Sequence, residues 1–522
     1  MLRYKPKQIS FHSSLYNKIP KNHILKQVNS VVDFSFINEL LEDSYCKEFG
    51  RPAKEPEMMC KLLMLQHLYN LSDERVMEEA NLNLAYMYFL KINPEDTLPD
   101  KSLLSKFRTQ RLEETTLDEV LTEMVKQCVE KGLIEGNGAS VDTTHTKANT
   151  KKKTPERLMK QLSKKIINSY EKESNEVLEE IPEAPKYKEI KDIHKAKEVM
   201  KKYLEEVIDT VEKKTSSLDS TKKETRETIK KAKEILKDPK FISQKGIRSL
   251  VDEDARVGHK SKTKNFYGYK TEIVMTTDER IITAVKVGNG SYVDGTYTKE
   301  LLSKTKDCGI KLKEVYGDKA YFRKEILDTV RQFNAEAYIP ISQTVYRIDE
   351  SEFSYNKDSD QWQCSEGNIS VKKKYAQTYR KNKTTKKKSI QKLYKYYFEI
   401  NQCKACPKHD ECAKKSARKI LRIGLNTNEF YEISQYQKTK EFIEKYKNRA
   451  TIEGKNAEIK RFHGLDKARG YGLVSMSIQS KLTAIAVNIK RISGIISSLY
   501  DIYRLFWRIQ TRFFVFVKYS LI

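Results

Sequence analysis

Tyr446-Lys447-Asn448-Arg449-Ala450-Thr451-Ile452-Glu453-Gly454-Lys455-Asn456-Ala457-Glu458-Ile459-Lys460 carries its chemistry on one side. Read as a helix turning about 100° per residue, it places Arg449, Glu453 and Lys460 at about 300°, 340° and 320° from Tyr446, a sector roughly 60° wide. One carboxylate is thus framed by two cations and a phenol. Glu444 and Glu458 fall at about 160° and 120°, off this stripe, which singles out Glu453 as the candidate acid. The same charges also suit an exposed helix with ion pairs three and four residues apart.

Two aspartates far upstream favour the chemical reading. Asp142 lies in Gly138-Ala139-Ser140-Val141-Asp142-Thr143-Thr144, whose small and β-branched residues predict a strand. Asp318 lies in Lys313-Glu314-Val315-Tyr316-Gly317-Asp318, a short strand ending at a glycine-plus-acid corner. Taken singly, each is an ordinary turn or capping residue. Taken with Glu453, they are the oxygen ligands that a hard divalent cation wants, few enough to leave room for water and phosphate. Two such ions about 3.5–4 Å apart can activate an attacking oxygen and stabilise a leaving one.

Tyr446, Arg449, Glu453 and Lys460 match, without a gap, the tyrosine-arginine-glutamate-lysine signature of bacterial insertion-sequence transposases that use a DDE triad. The blocks Val141-Asp142-Thr143-Thr144, Phe266-Tyr267-Gly268-Tyr269-Lys270, Tyr316-Gly317-Asp318-Lys319-Ala320-Tyr321 and Arg469-Gly470-Tyr471-Gly472 resemble that family's other landmarks, in order. The likeness runs from about residue 15 to about residue 492. It implies an α/β catalytic core, a ribonuclease H-like mixed sheet with flanking helices, in which Asp142, Asp318 and Glu453 bind Mg²⁺ or Mn²⁺. It further implies cleavage at the transposon end, strand transfer into target DNA and a homo-oligomer assembled on DNA. Arg449 and Lys460 would position phosphates or the cleaved end, and Tyr446 would pack against DNA.

Composition agrees with a nucleic-acid partner. Among 522 residues, 99 Lys and Arg against 72 Asp and Glu give a net charge of +27, and phosphate neutralisation releases counterions. A lysine-rich solvated surface is the plainer account of the same number. Met1-Leu2-Arg3-Tyr4-Lys5 opens no secretory apolar region, so a cytoplasmic, nucleoid-associated protein is expected. Leu505 to Ile522 is rich in Phe and Val but interrupted by Arg508, Arg512 and Lys518, which argues against a membrane span.

Along the chain, residues 1–130 read as an all-α N-terminal DNA-binding domain, with helical periods at Met58–Leu71 and Ser72–Leu90 and a capped start near Pro99-Asp100-Lys101-Ser102. Lys106, Arg108 and Arg111 are candidate DNA contacts there, or ordinary exposed helix cations. Residues 131–345 form the first part of the core, interrupted at 151–245 by a Lys/Glu-rich helical insertion expected to be paired solvated helices. His259, Lys260 and Lys262 form a basic approach to the next strands, Thr271–Met275 and Ile281–Val287. Asp252, Asp254, Asp278 and Asp294 are rival acids, Asp294 being the favoured supporting residue. Residues 426–495 complete the core, and 496–522 form a hydrophobic tail.

Residues 346–425 form a cysteine-bearing insertion. Cys403-x-x-Cys406-Pro407-x-His409-x-x-Cys412, with Cys364 upstream, offers the ligands of a structural zinc ion. Buried or free thiols fit as well, and a redox Cys-x-x-Cys pair fits least. The function expected from all this is metal-dependent transposition. The alternatives are a transposase-derived DNA-binding regulator without catalysis and a nuclease of the same fold that only hydrolyses.

Overall fold

The computed structural model describes residues 10–46, 52–215, 222–243, 246–261, 263–381, 388–413 and 416–520. Its centre is a six-stranded mixed sheet: β1 (Gly138–Lys147), β2 (Arg256–His259), β3 (Asn265–Thr276), β4 (Ile282–Asn289), β5 (Glu314–Tyr316) and β6 (Glu336–Tyr338). β1 lies in the middle. It runs antiparallel to β3, from Ala139 opposite Thr276 to Lys147 opposite Gly268, and parallel to β5, with Ser140 opposite Tyr316. β6 continues the parallel side, while β2 and β4 pair antiparallel with β3. The small residues of β1 let it sit between two neighbours with Ala139, Ser140 and Val141 buried. Gly268 is required by its neighbours: a Cβ there would stand 2.1 Å from the Thr146 carbonyl oxygen.

Helices cover the sheet. Ile24–Val31, Pro56–Leu68 and Glu114–Glu130 from the first part of the chain share one continuous apolar core with β1, β3 and β4 and with the long helix Gly472–Ser520. Pro56 opens its helix at a position where its missing N–H costs nothing. The helical period expected over Ser72–Leu90 breaks at Asn83, whose side chain accepts from the Ala85 N–H at 2.9 Å and starts a new helix, Leu84–Phe89. The stretch Gly472–Arg504 is long and apolar enough to cross a membrane, yet 61% of its apolar window is buried inside the protein. Leu482, Ile485, Ala486 and Ile489 are all in the core. The backbone helix runs on to Ser520 without a break, where a separate tail was expected.

The insertion after β1 is more than paired solvated helices. Pro155–Ser174, Ile193–Lys214 and Lys223–Lys237 enclose a core of their own, including Leu158, Leu162, Ile166, Met200, Leu204, Val207 and Ile229. These residues recur at helical spacing within the Lys/Glu background, which hides the seam from a charge-based reading. The insertion leaves and rejoins the core at one place: Lys153 and Arg248 exchange backbone hydrogen bonds of 2.8 and 3.1 Å.

The second insertion holds two small sheets, the hairpin β7 (Phe353–Asn356) and β8 (Gln361–Cys364), and a three-stranded sheet of β9 (Ser370–Lys381), β10 (Lys388–Phe398) and β11 (Ile420–Gly424). Its core is a few side chains: Trp362, Tyr396, Phe398, Cys403, Leu421 and Ile423.

Candidate active site

Register brings the first two acids together. Ser140 is paired with Tyr316 on the adjacent parallel strand; two residues further on, Asp142 is still within β1, opposite Ile273 of β3, while Asp318 lies just past the end of β5, near enough for its charge to act on Asp142. Asp318 has passed the end of β5 and caps the next turn, its Oδ1 accepting from the Ala320 N–H at 2.8 Å.

The third acid arrives on a helix, in a way that corrects the sequence reading. Tyr446 to Lys460 is not one regular helix: Lys440–Tyr446 is followed by a tight 3₁₀ turn, Lys447–Arg449, and then by the helix Ala450–Arg461. The arithmetic of a uniform helix therefore fails across Arg449. The pairing it anticipated survives, because Arg449 Nη1 donates to Glu453 Oε1 at 3.0 Å. Ile452 and Ile459, on the adjoining face of this helix, are fully buried and anchor it. Glu444 and Glu458 are engaged elsewhere, by Lys447 and by Lys455 and Lys490.

Asn456 ties this helix to the sheet. Its Nδ2 donates to Asp142 Oδ2 at 2.9 Å, while its Oδ1 is buried with no hydrogen-bond partner. It stands one turn beyond Glu453, on the same face.

The electrostatics centre on Asp142 and Arg449. Burial pushes the Asp142 carboxyl up to about 6; the Thr143 N–H and Arg449 oppose this, and the charges of Asp318 and Glu453 add to it. Burial works against the Arg449 charge too, but Tyr446, Asp142, Asp318 and Glu453 outweigh it and raise its pKa. One guanidinium is thus the shared countercharge of three carboxylates. Burial likewise raises the Tyr446 phenol, with Arg449 opposing and Asp318 and Glu453 adding. The Tyr446 ring stacks on Phe442 with centroids 5.9 Å apart.

Lys460 lies on the basic side of the site. Burial and then Lys260 lower it to about 8, against the pull of Asp142 and Asp466. Its Nζ is 3.4 Å from His145 Nδ1. His145 is driven down to about 4 by burial and by Lys460, Lys260, Lys147 and Lys270, so it is a neutral ring in a cationic surround. Lys260 and His259 are exposed at the end of β2, and Lys262 lies outside the described residues.

The remaining candidates separate. Arg108 donates to Asp73 at 2.7 Å and to Gln66 at 3.3 Å, in a cleft that Arg469 also lines; Lys106 is exposed. Arg111 donates to the Ser44 carbonyl and lies over the Tyr45 ring. Asp252 and Asp254 cap the long C-terminal helix by accepting from the Gly472 and Leu473 N–H groups. Asp278 lies in the turn before β4, and Asp294 is paired with Lys270 at 2.9 Å. Cys364, Cys403, Cys406 and Cys412 are free thiols lining one pocket with His409.

Asn456 and His145 were missed by a reading that weighed charges alone. Asn456 falls at about 280° on the same wheel, beside Arg449, so its amide was visible as part of the stripe. Nothing in the sequence around His145 marked it. Among the described residues, no three His, Cys, Asp or Glu side chains are gathered closely enough to hold a cation as they stand. Glu453 in particular is 62% exposed and turned to Arg449.

Two regions of the chain match family models. Residues 13–110 match the family described as Transposase domain (DUF772), and residues 212–489 match the Transposase DDE domain. The chain belongs to the DDE transposase family, whose members cleave DNA, transfer strands and use divalent metal ions. The second match includes Asp318 and Glu453 and begins beyond Asp142, in the last turn of the second helix of the insertion, Ile193–Lys214. Among solved structures, a piggyBac transposase synaptic complex with hairpin DNA aligns at 9% identity over 93% of this chain and 77% of that one, with a TM-score of 0.30. That likeness is too slight to define a shared fold.

Proposed function

We propose that Asp142, Asp318 and Glu453 are the catalytic triad of a transposase of the bacterial insertion-sequence type, acting in the cytoplasm at the ends of its own element. The observation that carries this is the placing of one guanidinium, Arg449, among three carboxylates brought from a central strand, its parallel neighbour and a later helix. The sheet order, with β1 flanked by antiparallel β3 and parallel β5, is what a ribonuclease H-like core would have.

The donor set fits Mg²⁺ or Mn²⁺: hard carboxylate oxygens, one of them half-buried and carrying a raised pKa among like charges. When bound, such an ion supplies Lewis-acid polarisation of a phosphate and activation of the attacking oxygen. Asp142, Asp318 and Glu453 would hold it, Glu453 exchanging its contact with Arg449 for the cation. Asn456 fixes the Asp142 carboxylate by occupying one oxygen and leaving the other to bind. Arg449, once released, is a planar fork suited to a DNA phosphate. Lys460 with Lys260 and Lys147 forms the cationic wall along which the strand would lie, and Tyr446 stands near it. Rate would come from positioning and electrostatics, since the protein forms no covalent bond in this scheme. The active species would be a homo-oligomer on DNA.

The test is a Mg²⁺- or Mn²⁺-dependent nicking and strand-transfer assay on DNA carrying the repeats that flank the gene. Asp142→Ala, Asp318→Ala and Glu453→Ala should each abolish both steps while retaining DNA binding. Activity surviving in any of the three would refute the assignment; nicking without joined products would make the protein a hydrolytic nuclease.

A further inference from the structure

We propose that Cys364, Cys403, Cys406 and Cys412 form a structural zinc site that clamps the β7–β8 hairpin to the segment following β10. Cys364 ends β8, at a tight turn in which the Gly367 N–H donates to its carbonyl at 2.9 Å, with Gly367 at φ +81°. Cys403 lies in the short helix Ile400–Lys404, Cys406 in the turn that leaves it, and Cys412 ends His409–Cys412. Two stretches far apart in sequence thus deliver all four thiols to a single pocket.

The chemistry of the donors fits zinc, with thiolate-bound iron as its competitor. Four soft ligands without a disulfide among them are a tetrahedral thiolate set. His409 competes as a ligand, but its Nδ1 is 2.7 Å from the Cys403 carbonyl oxygen, a contact that steadies the loop bearing Cys403 and Cys406. Binding converts four thiols to thiolates, releases four protons and leaves a net charge of −2 on the site. Lys408 and Lys419 line the same pocket together with Glu352 and Glu366; Lys408 is paired with Glu366 at 2.8 Å, and Lys419 donates to the Cys412 carbonyl at 3.3 Å, holding the loop that carries that thiol. The thiols do not yet stand at ligand spacing, so the ion draws them together, as metal binding coupled to local folding does.

The fold supplies a reason for such a clamp. The insertion's core amounts to Trp362, Tyr396, Phe398, Cys403, Leu421 and Ile423, with the hairpin and the three-stranded sheet as separate sheets. A core this small is where a metal staple contributes most. The site needs no part in DNA cleavage and stands or falls apart from the triad.

The experiment uses the full chain, purified without chelator, with zinc and iron measured by plasma mass spectrometry. One zinc per chain is expected, released to a colorimetric chelator when the thiols are blocked. Cobalt(II) added to chelator-stripped protein should give thiolate-to-metal charge-transfer absorption. Cys406→Ser and Cys412→Ser should lower zinc retention about tenfold or more, while Cys46→Ser, an exposed cysteine away from the pocket, should leave it unchanged. Zinc well below one per chain without the cobalt band would overturn the proposal, as would stoichiometric iron or full zinc retention in the serine variants. Should those variants fail to fold, the wild-type cobalt titration and thiol-blocking release decide by themselves.

Discussion

Asp142→Asn should abolish cleavage and at the same time stabilise the metal-free protein. The carboxyl is raised from 3.8 to about 6 on folding, chiefly by burial. A folded-state pKa above the unfolded one means that stability is fully present below pH 3.8 and lost as pH rises through 6. At about 1.4 kcal/mol per unit, the ionised group costs about 3 kcal/mol at pH 7.5, about half of that at pH 5 and about 0.5 kcal/mol at pH 4. Asparagine keeps the shape and an oxygen to accept from Asn456, and removes the charge. For a chain of this size unfolding as one unit, the gain corresponds to a rise in Tm of about 3 °C at pH 7.5. The assay is thermal and denaturant unfolding of wild type and variant in EDTA at pH 7.5, 5 and 4, repeated at pH 7.5 with Mg²⁺. The gap should shrink steadily as pH falls, and Mg²⁺ should narrow it by stabilising the wild type alone. A variant no more stable than wild type at pH 7.5, or a gap indifferent to pH, would refute the account of Asp142 as a half-buried, charge-strained carboxylate.

Four further outcomes follow from named contacts. Arg449→Ala should slow cleavage about a hundredfold and destabilise the metal-free protein, with Mg²⁺ restoring more stability to the variant than to wild type in paired melting curves. Asn456→Ala should slow single-turnover cleavage about tenfold or more through loss of Asp142 orientation, with the Kd for DNA unchanged in filter binding. Lys460, lowered to about 8, is charged below that pH and loses its charge above it; DNA affinity should weaken by up to about fivefold between pH 8 and 9, a step that fluorescence anisotropy should find flattened in Lys460→Arg. Excising residues 154–247 and joining Lys153 to Arg248 through a short glycine-containing turn should leave the remaining core folded by circular dichroism and cooperative melting, because the two ends are already hydrogen-bonded.

The strand placing of Asp142, the corner at Asp318 and the ion pair of Arg449 with Glu453 were all legible in the sequence, each for a local reason: β-branched residues around the first acid, a glycine beside the second, four-residue spacing for the pair. What was not legible depended on the partner across space. The register that sets Asp142 beside Asp318 is decided by Ser140 pairing with Tyr316, residues with no mark of their own. The insertion helices looked solvated because Lys and Glu dominate them, though Leu158, Leu162 and Ile166 carry a seam at helical spacing. Asp252 and Asp254 looked like rival acids until the N-terminus of the helix beginning at Gly472 gave them backbone donors to accept from.

The same contrast explains why charge alone picks out the proposed triad and passes over the amide that touches Asp142. Arg449 neutralises whichever carboxylates lie near it, since Coulomb attraction is long-ranged and tolerant of geometry. It can gather three acids but cannot say which oxygen of Asp142 faces inward. That choice needs a directional contact, and Asn456 Nδ2 at 2.9 Å from Oδ2 supplies one. A neutral amide three residues beyond Glu453 therefore transmits the position of the helix to the carboxylate on the strand. Exchanging Asn456 for Asp would keep the shape and reverse the interaction, setting two like charges face to face. Its cleavage defect should accordingly exceed that of Asn456→Ala, and a milder one would mean that size rather than hydrogen bonding is what Asn456 contributes.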